Sequence, residues 1–405
     1  MALELTARTA AGDRLVALAE RLADEIAPRA AAHDRDASFP FDSFAAVRRS
    51  GYLVAPIPEE LGGLGVTSVH DVLVAASRLA RGDAALTLGV NMHFAFLLNV
   101  VRRWEIAAAS GDERRAGAFA GTLAQIVRDG TVFAAAGSEV RQDVTRPQTI
   151  AAHTDKGWIV TGRKVFCTMS PVADVFYTAV TYLDDGGRER YGYAMIPRDT
   201  PGVEVHDDWD ALGMRASGSH SVSFDSVQLP PSALRGGFPV GDAVEYMERN
   251  LNAGLFHAAA ALGIAENAYA GVAVQLERRA DLDAHTQMVA AESLVELSAC
   301  RGVFARAAAL IDEHRERNPA SRGTPDELTA LFAEAQSAKT FVGEAAVRIV
   351  DRALALSGGA GYLNGSPLAR AYRDVRATAF MHPLGANRAY AFLGQFAAGR
   401  APSLH

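Results

Sequence analysis

The chain has 405 residues, of which 49% are hydrophobic and 21% are charged, and its formal net charge is −7 at pH 7. This composition excludes disordered and fibrous proteins, and the length predicts about two to three subdomains rather than one core. Because the acidic balance leaves no basic surface for a phosphate backbone, we expect no nucleic-acid partner.

Cysteine usage bears on the compartment and on metal binding. The two cysteines, Cys167 and Cys300, lie far apart and form no C-x-x-C pair. We therefore expect no disulfide framework and no metal site, and a reducing cytoplasm fits this usage. Near the N-terminus, Glu4 and Asp13 interrupt any apolar or basic run, so we expect neither a signal peptide nor a transit peptide.

The most apolar stretch, residues 84–101, contains the polar residues Asn91, His93 and Asn99. It is also short for a bilayer span, which needs about 20 apolar residues. The stretch therefore predicts a buried helix, and we expect no membrane partner.

Three patterns follow one another along the chain. Residues 1–128 are rich in Ala, Leu, Glu and Arg, with apolar residues at helical spacing. Residues 129–238 carry short β-branched and aromatic runs, and Asp184–Gly187 between two of these runs predicts a hairpin. Residues 239–405 are again helical, with Ala-rich faces suited to close helix packing. Helices, then a small β domain, then helices predict an α+β fold.

Several short motifs occur in an order typical of one enzyme family. They are Tyr52–Gly65, Gly137–Glu139, Lys164–Thr168, Gly213–Ser217, Phe224–Pro230, Gly358–Tyr362, Arg373–Asp374 and His382–Leu384. Together they resemble the acyl-CoA dehydrogenase superfamily of flavoproteins over nearly the whole chain. The resemblance implies an N-terminal helical domain (1–128), a middle β-barrel-like domain (129–238) and a C-terminal four-helix domain (239–405).

The β domain supplies side chains suited to one side of a flavin. The flat isoalloxazine ring needs hydroxyls and backbone N–H groups at its polar edge and a packed wall beside it. Ser138 and Thr168 are of the right type to bond the N5 and O4 side of the ring, and Phe166 is suited to lie against it. The alternative is that Ser138 and Thr168 are ordinary strand or turn residues.

A glycine-rich loop contains Gly358, Gly359 and Gly361. Backbone N–H groups without side chains in the way suit a pyrophosphate at a helix start. The alternative is a glycine-rich end of a helix. In the family that the chain resembles, this loop reaches the flavin of a neighbouring subunit, which implies a homodimer or homotetramer.

Two departures from the family bear on the cofactor. Members that hold FAD tightly usually carry Arg-x-x-Phe-Gly in a C-terminal-domain helix, but residues 277–282 lack Phe-Gly. They also carry a Gln three residues before the double glycine, where this chain has Ala355. Both features normally touch the pyrophosphate and adenosine half of FAD. We therefore expect loosely bound FAD, or FMN, or a reduced flavin delivered by a separate reductase.

The largest departure concerns the catalytic base. Dehydrogenation of a thioester needs a carboxylate that removes the α proton. Family members place this glutamate at the position of His382 or on an earlier helix, at Ala253 here. A histidine can accept or donate a proton near neutral pH, which makes His382 a candidate catalytic residue, with a structural role as the alternative. His93 is a second candidate if its helix faces the same pocket; the alternative is a hydrogen-bonded core histidine.

Three functions remain open from the sequence. The favoured hypothesis is a monooxygenase that uses reduced flavin and O2 on a small organic substrate, because relatives without the glutamate include such enzymes. It would take its reduced flavin from a reductase partner. The second hypothesis is an acyl-CoA or carrier-bound acyl dehydrogenase in which His382 replaces the glutamate. The third is a non-catalytic protein with a flavin-binding fold.

Overall fold

The computed structural model describes residues 4–141 and 143–404, and helices occupy both ends of the chain. Before the β domain they are α1 (Ala10–Asp36), α2 (Phe41–Arg49), α3 (Val69–Leu79), α4 (Ala84–Ala109) and α5 (Glu113–Asp129). After it they are α6 (Ala243–Arg249), α7 (Leu251–Glu277), α8 (Ala284–Arg317), α9 (Pro325–Ser357), α10 (Pro367–Val375) and α11 (Ala386–Ala397). The predicted α+β fold class is confirmed.

The middle of the chain forms one mixed sheet. Its strands are β1 (Phe133–Ala136), β2 (Ile150–Thr154), β3 (Gly157–Cys167), β4 (Val175–Leu183), β5 (Glu189–Pro197), β6 (Val203–Val205), β7 (His220–Leu229) and β8 (Leu234–Pro239). The strand order is β6-β7-β3-β2-β4-β5-β8, and β1 pairs in parallel with β4. The parallel β1–β4 pair places the start of the sheet next to the helices.

The predicted hairpin is the antiparallel β4–β5 pair. One carboxylate oxygen of Asp184 accepts hydrogen bonds from the backbone N–H groups of Gly186 and Arg188, each at 3.0 Å. Gly187 has a φ of 72°, in the left-handed region that glycine enters without a steric penalty. The turn therefore follows from its sequence.

One apolar core joins the two helical regions, and the sheet has a second core of its own. The helical core includes Leu97 of α4, Phe256 of α7 and Phe332 of α9. The core of the sheet includes Phe176 and Phe224. Because the helices on both sides of the β domain share one core, α4 and α7 are held in fixed positions beside the sheet.

Within the described residues, one helix, α4, is long and apolar enough to cross a membrane by length and composition. Its apolar window is 83% buried inside the protein. Phe94 of this helix packs against Phe256, with ring centroids 6.3 Å apart. The helix is thus a core helix, as the sequence predicts.

A buried ion pair fixes the start of the β domain. The Lys164 ammonium lies 2.6 Å from a carboxylate oxygen of Glu139, and both side chains are almost inaccessible to water. Glu139 also accepts hydrogen bonds from the backbone N–H of Gln148 at 2.6 Å and from that of Thr149 at 2.8 Å. Burial acts to raise the pKa of Glu139, but the lysine charge and these hydrogen bonds hold it below its usual value. The segment that carries Ser138 is therefore anchored.

Candidate active site

A cavity of about 290 Å³, called the central cavity below, lies where the β domain meets α4, α7 and the segment 373–382. Its lining residues are Leu88, Met92, Ala135, Gly137, Ser138, Phe166, Thr168, Trp209, Ala211, Leu212, Gly213, Met214, Ser219, His257, Arg373, Arg376, Ala377, Phe380, Met381 and His382. The cavity brings together four of the residues predicted from the sequence: Ser138, Phe166, Thr168 and His382.

Close packing fixes the wall made by Gly213 and Met214. The Met214 N–H donates to a buried carboxylate oxygen of Asp374 at 2.6 Å, and burial raises the pKa of Asp374 to about 7. A Cβ at Gly213 would lie 2.2 Å from the carbonyl oxygen of Arg373, so only glycine allows this approach. Arg373 in turn donates to Asp34 of α1 at 2.8 Å. The loop that contains Gly213 and Met214 is therefore held in place by α10, which is in turn bonded to α1.

The wall on the sheet side has the features that a flavin ring needs. Phe166 is 62% exposed and has a φ of 58°, a conformation that non-glycine residues seldom adopt. Its ring meets that of Trp209 edge to face at 6.0 Å. The Ser219 hydroxyl donates to Thr168 Oγ1 at 3.0 Å. An open aromatic face next to hydroxyl groups fits a flat ring with a polar edge, so these residues fit a flavin.

Ser138 lies at the same wall. Its carbonyl accepts a hydrogen bond from the Val165 N–H at 2.9 Å, which ties the segment after β1 to β3. The neighbouring Glu139 anchors this segment from inside the sheet. Ser138 and Thr168 thus come from two adjacent segments, and their hydroxyls border one space.

His382 has a defined tautomer. Its Nε2–H donates to Asn250 Oδ1 at 2.6 Å, and the amide orientation is set because Asn250 Nδ2 donates to the Tyr246 carbonyl at 2.8 Å. Nδ1 is then left as an acceptor. Removal from water and the nearby Lys339 ammonium lower the pKa of His382 to about 4. The imidazole is therefore neutral at physiological pH, with one fixed N–H and one free lone pair on the ring.

Lys339 of α9 holds the segment that carries His382. Its ammonium donates to the carbonyl of Leu384 at 2.7 Å and to that of Met381. The Tyr246 hydroxyl donates to the Pro383 carbonyl at 3.0 Å. Burial lowers the pKa of Lys339 to about 7. A positive charge in this position is costly in free energy, and it acts directly on the protonation of His382.

This buried lysine leads to a prediction about pH. The pKa of Lys339 is about 7 in the folded state and higher in the unfolded chain, where it has the ordinary value of about 10.4. Between these values the unfolded chain binds more protons, so Lys339 makes the free energy of unfolding rise with pH. We expect Lys339→Met to flatten this rise and to raise the pKa of His382. Urea unfolding at about pH 7 and pH 9, with NMR titration of the imidazole, measures both.

The exposed lysine Lys156 supplies the matched control for this prediction. Lys156→Met should leave both the pH dependence of stability and the titration of His382 as they are in the parent protein. Equal slopes of stability against pH in the parent and in Lys339→Met would contradict the account.

His257 is a further residue of the site, and no sequence motif points to it. It lies on α7, lines the central cavity and is only 3% exposed, yet neither ring nitrogen has a hydrogen-bond partner within the described protein. Burial, followed by the charges of Lys339 and His382, lowers its pKa well below the usual value. A buried polar group without a partner is costly, so a ligand in the cavity is the natural partner for His257.

The other predicted catalytic histidine, His93, lies elsewhere. It is fully buried, its Nε2–H donates to the Leu53 carbonyl at 3.1 Å, and its Nδ1 accepts from the Phe133 N–H at 3.2 Å. Both ring nitrogens are therefore used, and burial lowers the pKa of His93 to about 4. The structure does not bring His93 to the central cavity, and its position matches the alternative of a core histidine.

Gly358, Gly359 and Gly361 also lie outside the central cavity. Gly358 ends α9 with a φ of 68°, and its N–H bonds to the Ala355 carbonyl. Within one chain the loop therefore has the geometry of a helix end, the alternative considered from the sequence. Gly361 is buried, whereas Gly358 and Gly359 are exposed, where their backbone groups can meet another subunit.

Acidic side chains are missing from the lining of the central cavity, as far as residues 4–141 and 143–404 are concerned. Ala253, the second position at which the resembled family places its glutamate, is buried in α7. The groups that can exchange a proton here are instead His382 and His257, backed by Lys339. The cavity thus combines a wall suited to a flavin with two neutral imidazoles.

Three family models match the chain and together cover more than half of it. They are the N-terminal domain of acyl-CoA dehydrogenase at residues 14–104, the middle domain at residues 132–227 and the C-terminal domain at residues 255–383. The resemblance drawn from the short motifs is confirmed.

Individual relatives show which members of this family the chain is similar to. It is 32% identical to the amino sugar nitrososynthase DnmZ of Streptomyces peucetius, over 97% of this chain and 95% of that protein. The structure of KijD3 in complex with FMN and a dTDP-linked amino-keto sugar superposes with a TM-score of 0.88 at 32% identity, covering 97% and 95% of the two chains. FMN-bound TdsC of Paenibacillus sp. A11-2 superposes with a TM-score of 0.82 at 25% identity, covering 97% and 99%. The prediction of a flavin-dependent oxidoreductase is confirmed.

Proposed function

Because this chain belongs to the acyl-CoA dehydrogenase family and lacks that family's carboxylate base, we propose that it is a monooxygenase that uses reduced flavin and O2 to oxidise the amino group of a nucleotide-linked sugar. One observation carries the proposal: the central cavity holds two neutral imidazoles where a dehydrogenase needs a carboxylate. The relatives that act on amino sugars, and the one whose structure holds an amino sugar nucleotide, support the choice of substrate.

The chemistry of thioester dehydrogenation argues against the second hypothesis, an acyl-CoA dehydrogenase in which His382 is the base. Removal of an α proton needs a base whose pKa lies near the working pH; burial raises the pKa of a carboxylate towards that range but lowers the pKa of an imidazole. The pKa of His382 is about 4, and its lone pair is on a ring that is already held by Asn250. His257 is an even weaker base because its pKa is also lowered and it is buried. Neither imidazole suits the removal of a carbon-bound proton.

The same charges suit an amine substrate. Oxidation at nitrogen requires the lone pair of the free amine, and an ammonium ion has none. Arg376 lines the cavity, and Lys339 lies behind His382 and is positively charged in its protonated form. The charge of Arg373, in contrast, is offset by Asp34. Positive charges close to a basic group disfavour its protonated form. The cavity therefore favours binding of the neutral amine, whose N–H groups can donate to the lone pairs of His382 and His257.

Reduced flavin, when bound, would supply the two electrons needed to split O2, and the overall reaction is balanced. One amine, one O2 and one reduced flavin give one hydroxylamine, one water and one oxidised flavin. The protein's own residues orient the partners: Phe166 and Trp209 form the aromatic wall, and Ser138 and Thr168 border the polar edge. His382 holds a proton on Nε2 and accepts one at Nδ1, so it can pass a proton to or from the reacting groups.

FMN is the form of flavin that we propose, delivered reduced by a separate reductase. Ala355 replaces the glutamine, and residues 277–282 lack the Phe-Gly that would hold the adenosine half of FAD. FMN lacks that half and needs only the wall and hydroxyls of the central cavity. The structural relatives that contain FMN support this choice.

A homodimer or homotetramer in the cytoplasm completes the proposal. Large apolar side chains are exposed on the C-terminal helices and near the glycine loop, including Met288, Val295, Tyr362 and Leu363. Single exposed apolar residues are normal, but an apolar group of this kind next to a loop with exposed backbone groups is typical of an interface. A second subunit placed there would cover these side chains and bring the Gly358 loop to a neighbouring site.

The proposal is tested by supplying acyl-CoA thioesters without oxygen and amino sugar nucleotides with oxygen. Protein loaded with oxidised FMN is mixed anaerobically with a panel of acyl-CoA thioesters, and separately turned over aerobically with reduced FMN and amino sugar nucleotides. We expect no bleaching of the flavin by any thioester and oxidation of an amine in air. Anaerobic bleaching by a thioester, without oxidation of any amine, would establish the dehydrogenase instead.

A further inference from the structure

A second cavity, of about 380 Å³, lies beside the central cavity and is lined by Arg103, Arg115, Arg235 and Arg249. We propose that this arginine cavity binds the diphosphate and the base of a nucleotide-linked substrate whose reacting group lies in the central cavity. The inference rests on the proposed function, because it assigns the part of the substrate that carries the amino sugar.

Positive charge in the arginine cavity exceeds the negative charge beside it. Glu245 is buried and accepts from Arg103 at 3.1 Å and from Arg249. It also lies 3.3 Å from Arg322 on its other side. Glu248 also lies 3.4 Å from Arg322, so two carboxylates face three guanidinium groups and a net positive charge remains. An incoming dianion or trianion would neutralise it.

Two further arginines are in a position to reach a ligand. Arg115 of α5 and Arg235 of β8 are both exposed. Arg115 has a carboxylate at 3.5 Å, from the exposed Asp112, whereas Arg235 forms no ion pair with any residue of the described chain. Guanidinium groups bind phosphate through paired hydrogen bonds, so these two side chains suit the two phosphates of a diphosphate.

Aromatic rings in the same cavity suit a planar base. The rings of Tyr177 and Tyr193 stack with centroids 4.9 Å apart, and the Arg249 guanidinium lies 4.2 Å above Tyr193. Phe119 and Phe238, which also line the cavity, are partly exposed. Because the two tyrosine rings already stack on each other, a nucleobase would stack on the partly exposed rings of Phe119 and Phe238, as bases do on aromatic side chains in other nucleotide sites.

The backbone of one wall is open. Gly236 and Gly237 have φ angles of 114° and 133°, in the region that favours glycine. They line the cavity where β8 shifts register against β5. Without side chains, their peptide groups can approach a ligand closely.

The two cavities adjoin each other. Met92 lines the central cavity and Phe96 lines the arginine cavity, and the two residues are four positions apart on α4, about 6 Å along the helix. Ala135 of β1 lines the central cavity, and its strand neighbour Tyr177 of β4 lines the arginine cavity. One ligand can therefore occupy both, with the sugar in the first and the diphosphate and base in the second.

Calorimetry on the flavin-free protein tests this site without relying on oxygen chemistry. The probes are ADP, GDP, UDP and dTDP, with inorganic pyrophosphate and the matching nucleosides as partial ligands. We expect at least one nucleoside diphosphate to bind, more tightly than pyrophosphate or nucleoside alone, and with an affinity that falls as salt is added. Arg115→Ala/Arg235→Ala should weaken this binding by about ten- to a hundredfold, as expected for lost charge-assisted hydrogen bonds.

Arg114→Ala is the matched control, because Arg114 is an exposed arginine of the same helix outside the cavity lining. It should bind each probe as the parent protein does, and circular dichroism should show all variants folded. Nucleoside diphosphate binding that is absent in the parent, or unchanged in the double variant, would overturn the inference. Coenzyme A, which shares the diphosphate and base, is a further probe. Binding of coenzyme A more than about tenfold tighter than every nucleoside diphosphate would overturn the sugar-nucleotide assignment.

Discussion

Replacing His382 by alanine is expected to lower the rate of amine oxidation by about 10²–10⁴-fold, the range typical of a lost acid–base group. FMN affinity should stay nearly unchanged, because the proposed flavin contacts are those of Phe166, Thr168 and Ser138 and not of His382. Oxygen consumption should continue and yield hydrogen peroxide in place of product. The ratio of product to peroxide, measured with reduced FMN in air, reports this uncoupling directly.

Two further variants make the His382 test specific. His153→Ala removes an exposed histidine of β2 and should leave turnover as in the parent protein. His382→Glu restores the carboxylate of the dehydrogenases and should be as inactive as the alanine variant. Gain of anaerobic flavin reduction by a thioester in His382→Glu, together with full coupling in His382→Ala, would contradict the role given to this histidine. Because the pKa of His382 is about 4, its protonation should not reduce activity until the pH falls below about 5.

The second large effect is expected at Glu139. In Glu139→Gln the buried ammonium of Lys164 loses its counter-charge at 2.6 Å. Breaking one side of a buried pair leaves an uncompensated charge and costs about 3–5 kcal/mol. The free energy of unfolding, measured by urea denaturation with circular dichroism, should fall by this amount. Ser138 is the preceding residue, so FMN binding should weaken in the same variant.

A double variant separates loss of the pair from loss of fold. Glu139→Gln/Lys164→Met removes both charges, and it should recover most of the stability, because replacing both partners of a buried pair is often close to neutral. Glu189→Gln, which breaks the exposed Arg146–Glu189 pair, serves as the control and should cost less than about 1 kcal/mol. Equal free energies of unfolding for Glu139→Gln and Glu189→Gln would show that the buried pair stabilises the fold no more than an exposed pair does.

The sequence predicted the features that depend on local pattern. The order of helices, sheet and helices follows from periodicity, and the β4–β5 hairpin follows from Asp184–Gly187. The motifs that contain Ser138, Phe166 and Thr168 predicted that these residues form one wall of a site, and in the structure all three line the central cavity. His382 was found because it occupies a position at which the family has a different residue, and the structure places it in the cavity.

Long-range contacts were beyond the reach of the sequence. His93 and His257 both lie in apolar helices, and periodicity cannot tell which histidine has its nitrogens bonded to backbone groups. His93 meets Leu53 and Phe133, whereas His257 faces the cavity without a protein partner among the described residues. His257 is the one strongly polar residue in the run Leu255–Ile264, which makes it noticeable in the sequence. This pattern does not show which way its side chain points.

Lys339 and the arginine cavity illustrate the same limit. Lys339 holds the segment of His382 through two backbone carbonyls, and a sequence motif does not show a hydrogen bond to the carbonyl of a distant segment. The four arginines come from α4, α5, β8 and α6, so they are scattered along the chain and meet only in the folded protein. The glycine loop, in contrast, was seen from the sequence, but its proposed partner lies on another subunit.

The origin of the oxygen atom in the product tests the central claim most directly. The protein is supplied with reduced FMN, an amino sugar nucleotide and ¹⁸O₂ in unlabelled water, and the product is analysed by mass spectrometry. The account predicts one ¹⁸O atom in each hydroxylamine formed. A product that carries no ¹⁸O, or one that forms equally well without O2, would contradict a monooxygenase and return the chain to the dehydrogenases of its family.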